Sequence, residues 1–520
     1  MTGPDRAGSD GAEAAGALLL AGGRFPTVER PGVDAVRIED ERIVALGDAV
    51  ALRAELPPGA TVVDLADATV LPGLGDAHVH MTATGFLEHA VDGGEVADLA
   101  TLLATVAAQA RARPPSALVL GLRTEPDRFP EGRAPTREEL NAAGGGRPVY
   151  LRHVTGHASY ANDAALARLD LHAGSEGVTL DPTTGAPTGL LIGPSTQEAT
   201  HRAYAAFSRQ IGYESALRAA AEQAARHGCT TVHALDDLDA VRTLLAIEDD
   251  LPVRTVAYPQ TFDLDAVRAL GLRRIGGCHA CALDGDVDVR TAAMLAPYAD
   301  DPTDYGSLYH HDDSLRGFVL AAHRAGMQTA FHAVGDRAVE QALTAIEAAQ
   351  AAEARPNARH RIEHAQWIGA EQRARARAAG VVLSVQPAFN RTWPHEGYVP
   401  VVGPERAAQV DPLASLLRAG LPLAGGSDST VTELRPLVGL HAAVTHSRPE
   451  ERLSVSEALR AFTHGVAYAA HHDGRRGRIA EGLDADLTVV DRDPFRVPPN
   501  ELADLRPLLT VVRGGIVYRA

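Results

Sequence analysis

The stretch of the chain that most limits its fold runs from residue 70 to residue 80 and reads V-L-P-G-L-G-D-A-H-V-H. An apolar run meets a Pro-Gly turn and then ends in two imidazoles, His78 and His80. In a β-strand, residues i and i+2 point to the same face, so both rings can bind one ion. In a helix the same spacing would separate the two side chains by about 200° around the axis. We therefore predict a strand that presents a pair of metal ligands at its end.

The middle of the 520-residue chain alternates short apolar segments with Ala-rich, helix-like segments. This alternation predicts an α/β fold, a (β/α)₈ TIM barrel, with segments such as 117–121 and 149–152 among its strands. Both ends of the chain carry short β-like segments, which predict a small composite β-sandwich built from both termini. The expected domains are a disordered tail over residues 1–16, a β-sandwich domain over 17–71 and 475–520, and a metal-dependent barrel over 72–474.

The charge and cysteine content limit the partners and the compartment. The 49 basic and 67 acidic side chains give a net charge of −18, which makes nucleic acid and anionic membranes poor partners. Three cysteines are too few for a disulfide framework, and neither a signal peptide nor a membrane-spanning run is found, so we expect a cytoplasmic protein. All 49 basic residues are arginines, and the chain has no lysine.

Active sites of barrel enzymes lie at the C-terminal ends of the strands. Three further strand-like segments end in metal-binding side chains, namely His332, His364 and Asp428. Together with His78 and His80 they predict a ring of transition-metal ligands. A single buried histidine is more often a satisfied core residue than a ligand, but five such groups at strand ends favour the metal site.

Several motifs occur together in this chain, including V-L-P-G-L-G-D-A-H-V-H, R-P-V-Y-L-R-H-V-T-G-H, F-H-A-V-G-D-R-A-V, R-I-E-H-A-Q and G-G-S-D. With them the chain resembles the amidohydrolase superfamily from about residue 18 to its end, and within it the N-substituted formamide deformylases. The resemblance implies a distorted (β/α)₈ barrel with a composite β-sandwich and a mono- or dinuclear metal centre. It implies Asp428 as a ligand or catalytic proton shuttle and His157 as a substrate contact. It implies as metal ligands His78, His80, His332 and His364.

One departure from that family concerns the group that bridges two metal ions. In the related branch this group is a carboxylated lysine shortly before an Asp-Gly pair, which is Asp284-Gly285 here. The segment before the pair reads G-G-C-H-A-C-A-L and holds no lysine. His279 is the predicted replacement ligand and Cys281 the alternative, while the C-x-x-C spacing of Cys278 and Cys281 alone is weak evidence for a zinc site.

Three more residues are candidates for binding substrate. His233 ends the segment T-T-V-H on an expected inner strand and is either a pocket residue or a core histidine. Trp393 and His395 follow the segment S-V-Q-P in an expected active-site loop, where barrel enzymes set their specificity.

Three functions fit these observations. Extra histidines without an anionic bridge are compatible with redox iron, and a lysine-free, histidine-rich barrel is similar to the non-haem diiron monooxygenases of platensimycin and platencin biosynthesis. This first hypothesis needs two iron ions, O₂, a bulky diterpenoid-like carboxylic or acyl-CoA substrate and an external electron donor or reductase. The second is a zinc amidohydrolase with one or two zinc ions that cleaves an N-acyl or N-formyl amide bond. The third is a catalytically silent metal-binding scaffold. The sequence leaves the oligomeric state open, with a homodimer as one alternative.

Overall fold

A computed structural model describes residues 16–520. The tail predicted for residues 1–16 lies outside these described residues except for Gly16. Strands and helices alternate through most of the described chain, and the predicted α/β class is confirmed. None of the helices in the described part of the chain is both long enough and apolar enough to cross a membrane.

The strands lie within five sheets. In chain order they are β1 Leu18–Ala21, β2 Ala35–Glu39, β3 Arg42–Gly47, β4 Thr61–Asp64, β5 Thr69–Pro72, β6 Leu74–Val79, β7 Val91–Asp92, β8 Val119–Thr124, β9 Val149–His153, β10 Ala158–Ala161, β11 Val178–Leu180, β12 Pro187–Ile192, β13 Cys229–Asp236, β14 Arg254–Pro259, β15 Arg274–Ala282, β16 Gln328–Ala333, β17 Arg361–His364, β18 Val382–Val385, β19 Leu423–Gly425, β20 Leu487–Val490, β21 Pro507–Val512 and β22 Gly515–Arg519.

The α-helices connect and cover these sheets. In chain order they are α1 Ala49–Ala54, α2 Met81–Phe86, α3 Leu99–Ala112, α4 Arg137–Gly144, α5 Asp163–Arg168, α6 Pro194–Ile211, α7 Tyr213–Arg226, α8 Leu238–Ile247, α9 Leu264–Ala269, α10 Asp312–Arg324, α11 Asp336–Ala352, α12 Ala370–Ala378, α13 Pro387–Thr392, α14 His395–Val402, α15 Pro404–Ala407, α16 Leu413–Arg418, α17 Pro436–Val444, α18 Val455–Arg460 and α19 Val466–Ala469.

Two parallel sheets occupy the centre of the structure and carry the candidate site. Their strand orders are β14-β13-β6 and β15-β16-β17-β18-β19, and all of their pairings are parallel. Strands β6 and β13 are buried along their whole length, as expected for parallel strands covered on both faces. An isolated parallel bridge between Val79 and Ser429 joins the end of β6 to the segment after β19. Closure of these strands into a (β/α)₈ barrel stays a prediction.

The two ends of the chain meet in two small sheets, with strand orders β3-β2-β1-β4 and β22-β21-β20-β5. One apolar cluster contains residues of both sheets, among them Leu20, Ile38, Leu487 and Val511. A composite β-sandwich domain with the predicted boundaries stays a prediction, since only this shared core is observed.

A six-stranded sheet of order β11-β12-β10-β9-β8-β7 lies between β6 and β13 in the chain. The segments 117–121 and 149–152 overlap strands β8 and β9 of this mixed sheet, so their assignment to the barrel strands was wrong. A short buried apolar strand reads the same in either kind of sheet, because hydrophobic periodicity does not identify the partner strand.

Two buried histidines are in contact with each other, His323 on α10 and His360 immediately before β17. The Thr329 N–H donates to His360 Nδ1 at 3.0 Å, and His360 Nε2 in turn donates to His323 Nδ1 at 2.8 Å. His323 Nε2 donates to the Glu353 carbonyl at 2.8 Å, so in each ring one nitrogen donates a hydrogen bond and the other accepts one. Burial lowers the pKa of His360 to about 3.

We expect this pair to make the fold sensitive to acid. As the pH falls below about 6.5, the unfolded chain protonates His360 while the folded chain does not, so stability falls by up to about 1.4 kcal/mol per pH unit. The apparent Tm of the wild type should therefore drop more than that of His360→Asn between about pH 7.5 and about pH 5. The exposed His89→Asn serves as the control and should behave like the wild type. Equal drops in the wild type and His360→Asn would contradict this account.

Candidate metal centre

The ends of the central parallel strands bring six metal-binding side chains together. Their donor atoms form three sets, and within each set all the donor atoms lie within 4.8 Å of one another. The sets are His78, His80 and Cys278; Cys278, His332 and His364; and His78, His364 and Asp428. All six side chains are buried, and five of them belong to the ring predicted from the strand ends.

The chain around Asp428 approaches β6 very closely. A Cβ on Gly426 would lie 2.8 Å from the backbone nitrogen of His78, so only glycine fits there without a shift of the backbone. The Asp428 N–H donates to the His78 carbonyl at 2.8 Å, and the His80 N–H donates to the Ser429 carbonyl at 3.0 Å. These two bonds fix the Asp428 carboxylate against the histidine pair.

Two of the donors sit on left-handed backbone. His364 has φ = 69° and Asp428 has φ = 54° at the point where each strand ends. Residues other than glycine adopt this conformation at a cost, and such positions cluster at functional sites. We read the strain as the consequence of turning both side chains into the cluster.

The Asp428 carboxylate lies between the two rings of β6. Its Oδ1 atom is 3.1 Å from His80 Nε2 and 3.4 Å from His78 Nε2. No side chain or backbone group of residues 16–520 gives this buried oxygen a hydrogen bond of normal geometry. Burial alone would raise the pKa of Asp428, but His78 and His80 outweigh it and hold that pKa below its usual range. An ionised, unbonded carboxylate oxygen facing two ring nitrogens suits a bound cation.

The far nitrogens of three rings are engaged outside the cluster. His78 Nδ1 donates to Glu363 at 2.8 Å, His80 Nδ1 donates to the Leu235 carbonyl at 2.9 Å, and His364 Nδ1 donates to Gln386 at 2.8 Å. Because Nδ1 of each ring donates to an oxygen outside the cluster, Nε2 is the nitrogen that faces the cluster and whose lone pair a metal ion would take. Metal-binding histidines use the same arrangement.

Two charged side chains, Glu363 and Arg361, support the His78 ring. Glu363 receives two 2.8 Å hydrogen bonds from Arg361, through Nε and Nη2. Burial raises the pKa of Glu363, but Arg361 and His78 outweigh it and bring that pKa down to about 2. Arg361 also donates to His233 Nδ1 at 2.9 Å. His233 is thus linked to His78 through Arg361 and Glu363 and belongs to none of the donor sets.

Cys278 is the group that the sequence reasoning did not select. Its Sγ atom is 3.3 Å from His78 Nε2 and 3.8 Å from both His332 Nδ1 and His364 Nε2. A tetrahedral zinc ion holds sulfur and nitrogen ligands about 3.5 Å apart, so these spacings fit a shared ion. Burial raises the pKa of the free thiol. The available signal was its position, one residue before His279 in the segment that replaces the bridging lysine.

His279, the predicted replacement, does not join the donor sets. Its ring stacks on His80 with the centroids 5.0 Å apart. Its Nδ1 faces Gln260 Nε2 at 3.2 Å, and its Nε2 faces Arg152 at 3.4 Å. Cys281, the alternative, directs its Sγ to the Thr261 carbonyl at 3.4 Å. The structure thus places Cys278, and neither of these two, at the centre of the cluster.

Of the four predicted substrate contacts, two line a cavity at the cluster and two do not. His157 and Trp393 line a narrow cavity of about 20 Å³ over the cluster, together with His332, His364 and Asp428, and this cavity has room for about one water molecule. His395 lies outside the lining of that cavity, with its Nδ1 3.0 Å from Ser447 Oγ. His233 lines a separate cavity, together with Thr231 and His472.

Comparisons with known proteins agree with this geometry. The amidohydrolase family profile matches residues 61–518. "Putative amidohydrolase YtcJ" of Bacillus subtilis is 29% identical over 93% of this chain and 96% of its own. "N-substituted formamide deformylase" of Arthrobacter pascens is 25% identical over 96% of this chain and 98% of its own. The crystal structure of an "uncharacterized metal-dependent hydrolase" from Pyrococcus furiosus superposes with a TM-score of 0.72 at 28% identity, over 92% of this chain and 100% of the other.

The profile spans most of the chain and includes every donor residue of the cluster. The chain belongs to the amidohydrolase family.

Proposed function

We propose that this protein is a metal-dependent hydrolase that cleaves an N-acyl or N-formyl amide bond of a small molecule. The observation that carries the proposal is the buried Asp428 oxygen, which faces the ring nitrogens of His78 and His80 and has no hydrogen bond within residues 16–520. A carboxylate in that position serves both as a metal ligand and as a proton acceptor. The names of the Bacillus and Arthrobacter relatives point to the same reaction class.

A bound divalent cation would polarise the amide carbonyl and lower the pKa of the attacking water. The four histidines would hold the cation through nitrogens that carry lone pairs, and the second ring nitrogens of His78, His80 and His364 fix the ring orientations. Asp428, ionised in its resting state, would accept a proton from the attacking water and pass it to the leaving nitrogen. Trp393 and His157 line the small cavity next to Asp428, which has room for about one water molecule and so for the attacking water.

The donor set of imidazole, carboxylate and thiol suits zinc and iron alike. Of the three similar proteins, one is named a putative amidohydrolase, one an N-substituted formamide deformylase and one an uncharacterized metal-dependent hydrolase, and none of these names describes an oxygenase. We therefore favour hydrolysis over the diiron monooxygenase hypothesis, with its O₂, acyl-CoA substrate and reductase. The complete ring of buried donors argues against a silent scaffold with a decayed site.

The proposal is tested by amine release from N-substituted formamides and from N-acetylated amines. Amine-reactive dyes give a low protein background here, since the chain has no lysine. We expect release by the zinc-loaded protein, loss after dialysis against a chelator, and recovery when zinc is restored. Release that survives complete metal removal, or hydroxylated products in place of amines, would contradict the proposal.

A further inference from the structure

The backbone around Cys278 is distorted, and the distortion sets the direction of the Cys278 side chain. The pairing of β15 with β16 jumps from Gly277–Phe331 to Ala282–His332, which leaves residues 278–281 outside the ladder. Gly276 and Gly277 precede the jump with φ = 110° and φ = 124°, and a Cβ on Gly276 would lie 2.0 Å from the Ala330 carbonyl oxygen. Bulges of this kind beside active sites re-aim a side chain. Here the bulge turns the Cys278 thiol toward the rings of the neighbouring strands.

The thiol lies between two pairs of histidines. It forms one donor set with His78 and His80 and a second with His332 and His364, while a third set joins His78 and His364 to Asp428. No other residue of the described chain belongs to both of the first two sets. Six donor groups exceed the four that one tetrahedral ion needs, so the cluster has ligands for two ions that share a sulfur.

The balance of charge in the cluster also favours a sulfur shared by two ions. Four neutral imidazoles and the Asp428 carboxylate would set one negative charge against two divalent cations. A thiolate at the centre supplies a second negative charge between them, and the chain has no lysine from which a carbamate bridge could form. Thiolate sulfur is also a stronger ligand for zinc, iron and cobalt than the neutral nitrogen of His279 would be.

The other two cysteines lack these features and provide matched controls. Both are buried, and each directs its Sγ to a backbone carbonyl, Cys229 to Thr231 at 3.2 Å and Cys281 to Thr261 at 3.4 Å. Neither belongs to a donor set.

We infer that the Cys278 thiolate bridges two metal ions, one held with His78 and His80 and the other with His332 and His364. On binding, the S–H bond breaks, its proton leaves to solvent, and the sulfur donates one electron pair to each ion with no change of oxidation state. The inference rests on the proposed function for the identity of the centre as that of a hydrolase. Its readouts do not require turnover.

The test uses the full-length protein reconstituted with Co²⁺. We expect the wild type to bind about two cobalt ions per chain and to show a thiolate-to-cobalt charge-transfer band. Cys278→Ala should lose the band and bind one ion or none, and Cys278→Ser should lose the band and bind the second ion at least about 10-fold more weakly. Cys229→Ala and Cys281→Ala should keep both the band and the stoichiometry. Far-UV circular dichroism of each metal-free variant checks that it folds.

A wild type that binds a single ion without the band would overturn the inference, and so would a folded Cys278→Ala that keeps two ions and an unchanged spectrum. If Cys278→Ala does not fold, Cys278→Ser and the wild-type spectrum decide the question. A wild type that shows the band and two ions but releases no amine would retain the sulfur bridge and refute the proposed reaction.

Discussion

Asp428→Asn is expected to lower kcat for amide hydrolysis by about 10²–10⁴-fold, the range over which a positioned proton acceptor contributes to catalysis. Asparagine keeps the shape of the side chain and a carbonyl oxygen for the cluster. It removes the negative charge that His78 and His80 stabilise and with it the capacity to accept a proton. The loss should therefore fall mainly on kcat, with a smaller change in KM.

The comparison variant for this prediction is Asp265→Asn, because the Asp265 side chain is 97% exposed. It should retain wild-type kcat and metal content. Metal content measured on the same Asp428→Asn preparation separates a lost proton acceptor from a lost ligand. An Asp428→Asn variant with wild-type kcat would show that this carboxylate takes no part in the reaction.

Glu363→Gln is expected to weaken metal binding by about 10–100-fold, although Glu363 itself belongs to none of the donor sets. The glutamate accepts the Nδ1 proton of His78 and so keeps the opposite nitrogen free for the metal. Glutamine would leave the buried Arg361 without its counter-charge, and breaking a buried ion pair in this way costs about 3–5 kcal/mol. Both a lower metal affinity and a lower apparent Tm should follow.

Metal affinity is measured by competition with a chromophoric chelator, and Tm is measured on the metal-free protein, so that the two effects are separated. Glu371→Gln, on the exposed side of α12, is the matched control and should leave both quantities unchanged. Unchanged affinity in Glu363→Gln would mean that the orientation of His78 does not depend on this contact.

Much of the cluster can be predicted from the residues that end the apolar segments, for a geometric reason. Parallel strands end at the same edge of their sheets, so side chains that follow several apolar segments converge even when they are hundreds of residues apart. His78, His80, His332, His364 and Asp428 are brought together in this way.

Cys278 and Glu363 could not be found by the same argument. Cys278 reaches the cluster through a bulge, and the Gly-Gly pair before it has no periodic pattern that would indicate the direction of the next side chain. Glu363 and Arg361 alternate with apolar residues in a fully buried strand, whereas charged residues are rarely buried unless they are paired. Their mutual contact becomes evident only in three dimensions.

The fold, too, could be predicted from the sequence only in part. The α/β class follows from alternating segments, but the six-stranded sheet between β6 and β13 was read as part of the barrel. Strands β8, β9 and β10 are as short and as buried as those of the two parallel sheets, but β10 pairs antiparallel with both β9 and β12.

The most direct test of the account is the initial rate of amine release from an N-substituted formamide by protein purified without added metal, measured under argon and in air. Hydrolysis consumes water and needs neither O₂ nor a reductant, so the account predicts equal rates in the two atmospheres and no oxygen uptake. A rate that requires O₂ and an electron donor, with a hydroxylated product, would contradict it.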